Sequence, residues 1–229
     1  MILRDFVAAS SPRLRRAVAA AAVASGLVAG TVAPGDAAGE TKSGPITLVA
    51  FGDSLTAGYM LPKKDGFAAQ LEATLRAEGR DVRVIDAGVS GDTTDMGLAR
   101  LEWSVPAEAQ AVIVELGAND ALRGQPPEAA RRNLDEIVAR LTARGQKVLV
   151  SGMLAPRNMG ASYAAAFDPI FAEVAGKYGA LHHAFFLEGV AMHPEFTLPD
   201  GLHPNAAGVK RIVAGILPKV HELLDRVGK

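Results

Sequence analysis

Residues 46–55 read ITLVAFGDSL: an apolar run over 46–51 stops abruptly at Gly52-Asp53-Ser54. A short apolar run closed by a turn signal suits a strand buried on both faces, the kind found in parallel sheets. Gly52 lets the backbone turn sharply at the strand's end, and Thr56-Ala57-Gly58 continues the bend. Ser54 then stands at the carboxyl edge of a sheet, where open α/β folds gather their chemistry. There it is either a nucleophile awaiting a base or simply the cap of the following turn.

Downstream, the pattern repeats. Phe67, Leu71 and Leu75 recur at helical spacing before Gly79, and a second strand is expected over 82–86. A Gly-rich loop over 87–92 leads into a helix through Leu98 and Leu101, capped by Asp92 or Thr93. A third apolar run, 111–116, ends in Gly117-Ala118-Asn119-Asp120. Pro126-Pro127 opens a helix with the stripe Leu134, Ile137, Val138 and Leu141. A fourth strand over 147–153, a helix over 163–178 and a fifth strand over 181–187 follow. Asn205 caps a last helix striped by Val209, Ile212, Val213, Ile216, Val220 and Leu223, with a kink expected at Pro218. Such alternation predicts an α/β fold of about five parallel strands with helices on both faces. No internal repeat or second domain is visible.

The start of the chain reads differently. Arg4, Arg13, Arg15 and Arg16 precede a small-residue apolar stretch over 17–33, and Gly35-Asp36-Ala37 offers the small residues a signal peptidase reads. That order predicts a secretory leader over 1–38, cleaved near Ala37 or Ala38, then a linker over 39–45 and one domain over 46–229. The leader's apolar stretch is too short and Ala-rich for a membrane span, so a periplasmic or secreted protein without stable membrane insertion is expected. Of 24 basic and 25 acidic side chains in 229 residues, the leader holds four and two, which leaves a net charge of −3. A mildly acidic chain with no Lys/Arg stripe has no electrostatic reason to bind nucleic acid or anionic lipid. The absence of cysteine excludes disulfides, thiolate nucleophiles and zinc–cysteine sites.

In a parallel sheet the loops at Ser54, 88–92 and 117–120 share one rim. Gly91 allows a ligand to approach its N–H closely, Asn119 carries an amide donor and Ser54 adds its own N–H. Three donors aimed at one point make an oxyanion hole. The base must come from elsewhere, and the histidines are the candidates. His182 and His183 flank opposite faces of the fifth strand, one core and one surface; His193 lies in a connection and His221 on the last helix. His203 differs, because Asp200-Gly201-Leu202-His203-Pro204 places a carboxylate three residues away across a tight turn, able to fix the imidazole tautomer and stabilise its protonated form.

Four blocks therefore occur in order: Gly52-Asp53-Ser54-Leu55, Val89-Ser90-Gly91, Gly117-Ala118-Asn119-Asp120 and Asp200-Gly201-Leu202-His203. With them the chain resembles the SGNH, or GDSL, hydrolase family over roughly residues 47–224. SGDTTDMGLARL at 90–101, VELGANDALRG at 114–124 and DGLHPN at 200–205 are similar to its bacterial periplasmic thioesterase I, lysophospholipase L1 and arylesterase subgroup. The resemblance implies a flavodoxin-like three-layer α/β/α sandwich, with Ser54 as nucleophile, His203 as base, Asp200 as its partner, and Ser54, Gly91 and Asn119 as oxyanion donors. It implies no metal and no organic cofactor. Ala118 departs from the glycine that subgroup members often carry, and a methyl there is compatible with an unchanged Asn119.

Substrate is less legible. The loop over 154–161 and the connection over 190–198 are expected to wall an acyl pocket, made apolar by Met153, Leu154, Met159, Met192 and Phe196; the same residues could equally fill the core. Short-to-medium acyl esters, aryl esters and lysophospholipids are the expected small-molecule or lipid partners, with acyl thioesters less relevant to an exported enzyme. A carbohydrate O-acetyl esterase and a non-catalytic exported ligand-binding protein are the alternatives. The first would need sugar-stacking aromatics in a chain with one Trp and three Tyr; the second would need a broken triad.

Overall fold

The strand that opens the chain's core, β1 (Ile46–Gly52), is buried on both faces from Leu48 onward and has a parallel neighbour on each side. The computed structural model describes residues 44–228, so the leader expected over 1–38 lies outside the described residues. Four more strands, β2 (Val82–Gly88), β3 (Ala111–Glu115), β4 (Lys147–Ser151) and β5 (Leu181–His183), complete a parallel sheet in the order β2-β1-β3-β4-β5. This is the flavodoxin-like order, in which the direction of strand addition reverses between β1 and β3. In register, Gly52 lies opposite Gly88 on one side and Glu115 on the other, so the corner after β1 leaves from between two strand ends.

Eight helices occur among the described residues: α1 (Ser54–Ala57), α2 (Phe67–Ala77), α3 (Thr94–Ser104), α4 (Ala118–Leu122), α5 (Pro127–Ala143), α6 (Ala161–Phe167), α7 (Ile170–Lys177) and α8 (Ala206–Asp225). α2 packs on α8, while α3, α5 and α7 pack in succession, which gives a three-layer α/β/α sandwich. The α8 stripe is buried as its spacing requires, and Asn205 Oδ1 caps the helix by accepting from the N–H groups of Ala207 and Gly208 at 3.0 Å each.

Three elements depart from the expectation. The helix expected over 163–178 is two helices, because Pro169 has no N–H to continue the ladder, and Asp168 beside it is drawn off to accept from the Ala155 N–H at 2.8 Å. The fifth strand is only Leu181–His183; after it the chain folds back, with Gly152 donating to the His183 carbonyl and Phe186 donating to that of Gly152. β4 ends at Ser151, two residues short of the expected strand; α8 runs unbroken from Ala206 to Asp225 as expected, with Pro218 and Ala214 both on its exposed face, where water can take the freed carbonyl.

Candidate active site

Ser54 is the first residue of the single-turn helix α1, directly beyond the carboxyl end of β1. The cap is its neighbour: Asp53 Oδ1 accepts from the Leu55 N–H at 3.0 Å, which leaves the Ser54 hydroxyl free for other partners. α1 lies against the end of β2 so closely that a Cβ at Gly88 would stand 2.3 Å from the Ala57 nitrogen. Only glycine fits there, and that contact fixes the height of the serine above the sheet.

His203 reaches this corner from 149 positions away. Its Nε2 lies 3.0 Å from Ser54 Oγ, and its Nδ1 lies 2.7 Å from Asp200 Oδ2. The other Asp200 oxygen accepts from the N–H groups of His203 at 3.0 Å and Leu202 at 2.9 Å. Those two backbone donors, followed by the imidazole, hold the Asp200 carboxyl down at about 2. An ionised Asp200 accepts a hydrogen bond from the Nδ1–H, so Nε2 is the acceptor for the serine hydroxyl. The turn itself is pinned to the start of α8: the Leu198 N–H donates to the His203 carbonyl at 2.7 Å, and Asn205 Nδ2 donates to the carbonyls of Glu195 and Thr197.

The donor loops meet the same corner. Gly91 adopts φ +89°, a conformation that disfavours side chains, and its carbonyl accepts from the Arg123 guanidinium at 2.8 Å. Asn119 is the second residue of α4, and its Nδ2 donates to Asp53 Oδ2 at 3.0 Å and to the Asp92 carbonyl at 2.9 Å. Its two N–H bonds thus tie the first, second and third rim loops together. The structure joins Ser54, His203 and Asp200 directly and ties Asn119 to Asp53 beside the serine, while Gly91 lies next to Asp92 on the neighbouring rim loop.

Behind that lip lies a polar network with no signal in local sequence. Arg100, from α3, makes a 2.5 Å ion pair with Asp92, donates to the Gly52 carbonyl at 2.8 Å and lies over the Phe51 ring at 4.3 Å. Asp120 accepts from both the N–H and the hydroxyl of Thr94, which joins the start of α3 to α4. Glu115, at the end of β3, accepts from the Thr56 hydroxyl at 2.7 Å through Oε2, while its buried Oε1 has no hydrogen-bond partner. Burial, and then the nearby Asp53 charge, pushes the Glu115 carboxyl well above its ordinary range. Burial also pushes Asp53 up to about 6, against the opposing pull of the Leu55 N–H and Asn119.

These shifts set a pH dependence of stability. A carboxyl that holds its proton more tightly when folded favours the folded state at low pH, and stability falls as pH rises through the window between its unfolded and folded values. For Asp53 that window runs from 3.8 to about 6, with Glu115 and the buried Asp120 acting in the same direction. Asp200 acts oppositely but below 3.8. Glu115→Gln keeps the acceptor for Thr56 and removes one titrating group. His182 and His183, whose titration burial pushes down, act the other way toward the top of that range, so the expectation is for the difference: the melting temperature of Glu115→Gln is expected to rise relative to that of the wild type from pH 4 to pH 7, and parallel curves would show that Glu115 gives up its proton as readily folded as unfolded.

The residues expected to wall the substrate are dispersed. Met153 is 2% exposed and belongs to the core. Leu154 is exposed on the segment after β4, and Met159 is half-buried with its Cε close to Gly124, just past α4. Met192 is 92% exposed and, with His193, Leu198 and Gly201, lines a depression of about 510 Å³ along the Asp200 turn rather than at Ser54. Phe196 is half-buried beneath the Arg211 guanidinium. His182 and His183 are both half-buried, not one core and one surface, and His183 Nδ1 lies 3.1 Å from the fully buried Ser151 hydroxyl.

Residues 50–211 match the model of the GDSL-like Lipase/Acylhydrolase family. Esterase TesA of Pseudomonas aeruginosa is 38% identical over 179 residues, which cover 78% of this chain and 89% of that protein. Arylesterase of Vibrio mimicus is 39% identical over 159 residues, 69% of this chain and 80% of the relative. The crystal structure of AlinE4, an SGNH-hydrolase family esterase, superposes with a TM-score of 0.67 at 44% identity, over 80% of this chain and 98% of AlinE4. A family match spanning well over half the chain, relatives that are esterases, and a parallel sheet whose rim gathers a serine, a histidine and a carboxylate lead to one conclusion: this chain belongs to the GDSL-like lipase/acylhydrolase family and is a carboxylic ester hydrolase.

Proposed function

We propose that this esterase works through Ser54 as nucleophile, His203 as general base and Asp200 as the group that orients the base. The observation that carries the reading is the chain of two short contacts, Ser54 Oγ to His203 Nε2 at 3.0 Å and His203 Nδ1 to Asp200 Oδ2 at 2.7 Å. Ser54 Oγ adds to the ester carbonyl carbon while its proton passes to Nε2, and Asp200 stabilises the imidazolium that forms. The N–H groups of Ser54 and Gly91 and the Asn119 amide receive the oxyanion, Asn119 by turning one N–H away from Asp53 or from the Asp92 carbonyl. Collapse breaks the bond to the alcohol, which leaves with the proton from His203. Water, deprotonated by the same nitrogen, then releases the acid from the acyl-serine.

The substrate proposed is an ester with a short-to-medium acyl chain or an aryl group, with lysophospholipids and acyl thioesters as further members. Support comes from the apolar side chains exposed on segments that follow the strands' carboxyl ends: Tyr59, Met60, Leu122, Leu154 and Leu202. A p-nitrophenyl ester series of increasing acyl length, run beside lysophosphatidylcholine and acetylated xylan, tests the assignment. Turnover of the p-nitrophenyl esters with little release from xylan is expected; faster release from xylan would replace this reading by a sugar O-acetyl esterase.

The same reading takes residues 1–38 as a secretory leader and places the mature enzyme in the periplasm or outside the cell. N-terminal sequencing after expression in a bacterial host is expected to find a start near Ala38. An active enzyme retained in the cytoplasm with Met1 in place would overturn it.

A further inference from the structure

Tyr59 lies outside the hydrogen-bonded line and five positions beyond the serine. Its ring centroid is 4.4 Å from that of the His203 imidazole, with the planes 35° apart. The contact is a product of the nucleophile's own turn. Gly58 ends α1 in the left-handed conformation at φ 69°, and the N–H groups of Gly58 and Tyr59 both donate to the Ser54 carbonyl, the latter at 3.1 Å. Nucleophile and tyrosine therefore hang from one carbonyl, and any shift of the serine backbone carries the ring with it.

His203 needs such a support. It belongs to a turn at the protein surface, and Asp200, its partner, has an exposed side chain. Hydrogen bonds at Nδ1 and Nε2 act in the plane of the imidazole and leave rotation about the line between them weakly resisted. A ring against one face resists that rotation and covers the face against water. An aromatic face also attracts the imidazolium that forms during each acyl transfer.

We infer that Tyr59 is a positioning residue for the general base, its ring holding the His203 imidazole in line with Ser54. This rests on the reading of His203 as the base. The tyrosine touches the base from one side and the mouth of the site from the other, so it could instead act only as a wall for substrate. The two roles separate in kinetics. A positioning role lowers kcat for every ester, acetyl included, and slows phosphonylation of Ser54 by a small fluorophosphonate. A wall raises KM, more for long acyl chains than for acetyl, and leaves kcat and phosphonylation unchanged.

The experiment compares Tyr59→Phe, Tyr59→Leu and Tyr59→Met with the wild type and with His203→Ala, each checked for an unchanged melting transition. Tyr59→Phe is expected to keep kcat within about twofold, since the ring rather than the hydroxyl makes the contact. Tyr59→Leu and Tyr59→Met are expected to lose about 3- to 10-fold in kcat and in phosphonylation rate, at all acyl lengths. Tyr59→Met serves if the leucine variant fails to fold. Unchanged kcat with chain-length-dependent KM in the non-aromatic variants overturns the inference, as does a loss in Tyr59→Phe equal to theirs. An active His203→Ala enzyme would instead overturn the assignment of the base, a result the tyrosine variants cannot mimic.

Discussion

Ser54→Ala is expected to remove about 10⁴- to 10⁶-fold of kcat on p-nitrophenyl esters and to abolish covalent labelling by a fluorophosphonate. The size follows from what the hydroxyl does. It is the atom that bonds to carbon, and without it His203 can at most activate a water that no corner of the backbone holds in place. The substitution should be gentle on the fold. Ser54 is small, its backbone continues α1 unchanged, and the helix cap belongs to Asp53, whose bond to the Leu55 N–H does not involve the serine side chain. His203 keeps Asp200, so the melting temperature is expected to move little. Ser151 provides an internal control, being another serine beside a histidine, with its hydroxyl 3.1 Å from His183. It is the fully buried last residue of β4, paired with His183 of β5, and burial pushes the titration of His183 down. Ser151→Ala is therefore expected to be labelled like the wild type. Labelling that survives in Ser54→Ala and disappears in Ser151→Ala would move the chemistry two strands along the rim, to the end of β4 and away from the Ser54 corner.

The contrast between these two serines shows what sequence makes legible. Ser54 ends an apolar strand at a glycine, and a base with its own carboxylate lies in one five-residue turn, so both halves are recognisable before their meeting is known. The parallel topology does the rest, because strands running one way put every strand-end loop on one rim. The sheet follows from the same runs, and α8 from its stripe. What escapes is what depends on distant neighbours. Asp53 reads as part of a corner, yet it is at once the cap of α1 and the acceptor for Asn119. Arg100 carries no signal of its own in the sequence and is an interior clamp on Asp92 and the Gly52 carbonyl. Met153 reads equally as pocket wall or core and is buried in the core, since apolarity alone cannot say which way a residue faces. In each case the deciding contact spans loops that nothing local connects.

Asn119→Ala is expected to lower kcat by about 10²- to 10³-fold with little change in KM, the scale of losing one oxyanion donor. The amide does more than face the substrate, however. In the structure its Nδ2 holds Asp53 Oδ2 and the Asp92 carbonyl. Truncation leaves a buried carboxylate oxygen without its side-chain donor, removing one of the bonds that oppose the upward push of burial on Asp53. A fall in melting temperature is therefore expected alongside the fall in kcat, and the rate loss alone would not say whether Asn119 serves the oxyanion or merely anchors Asp53 beside the nucleophile. A double-mutant cycle with Asp53→Ala separates the two. If Asn119 acts only through Asp53, adding Asn119→Ala to Asp53→Ala changes kcat no further. If its N–H reaches the oxyanion, the asparagine substitution still costs about 10²-fold or more on that background, and phosphonylation of Ser54 slows in step because the phosphonate oxygen occupies the same place. Full turnover in Asn119→Ala itself would remove the amide from the mechanism and leave the oxyanion to the N–H groups of Ser54 and Gly91.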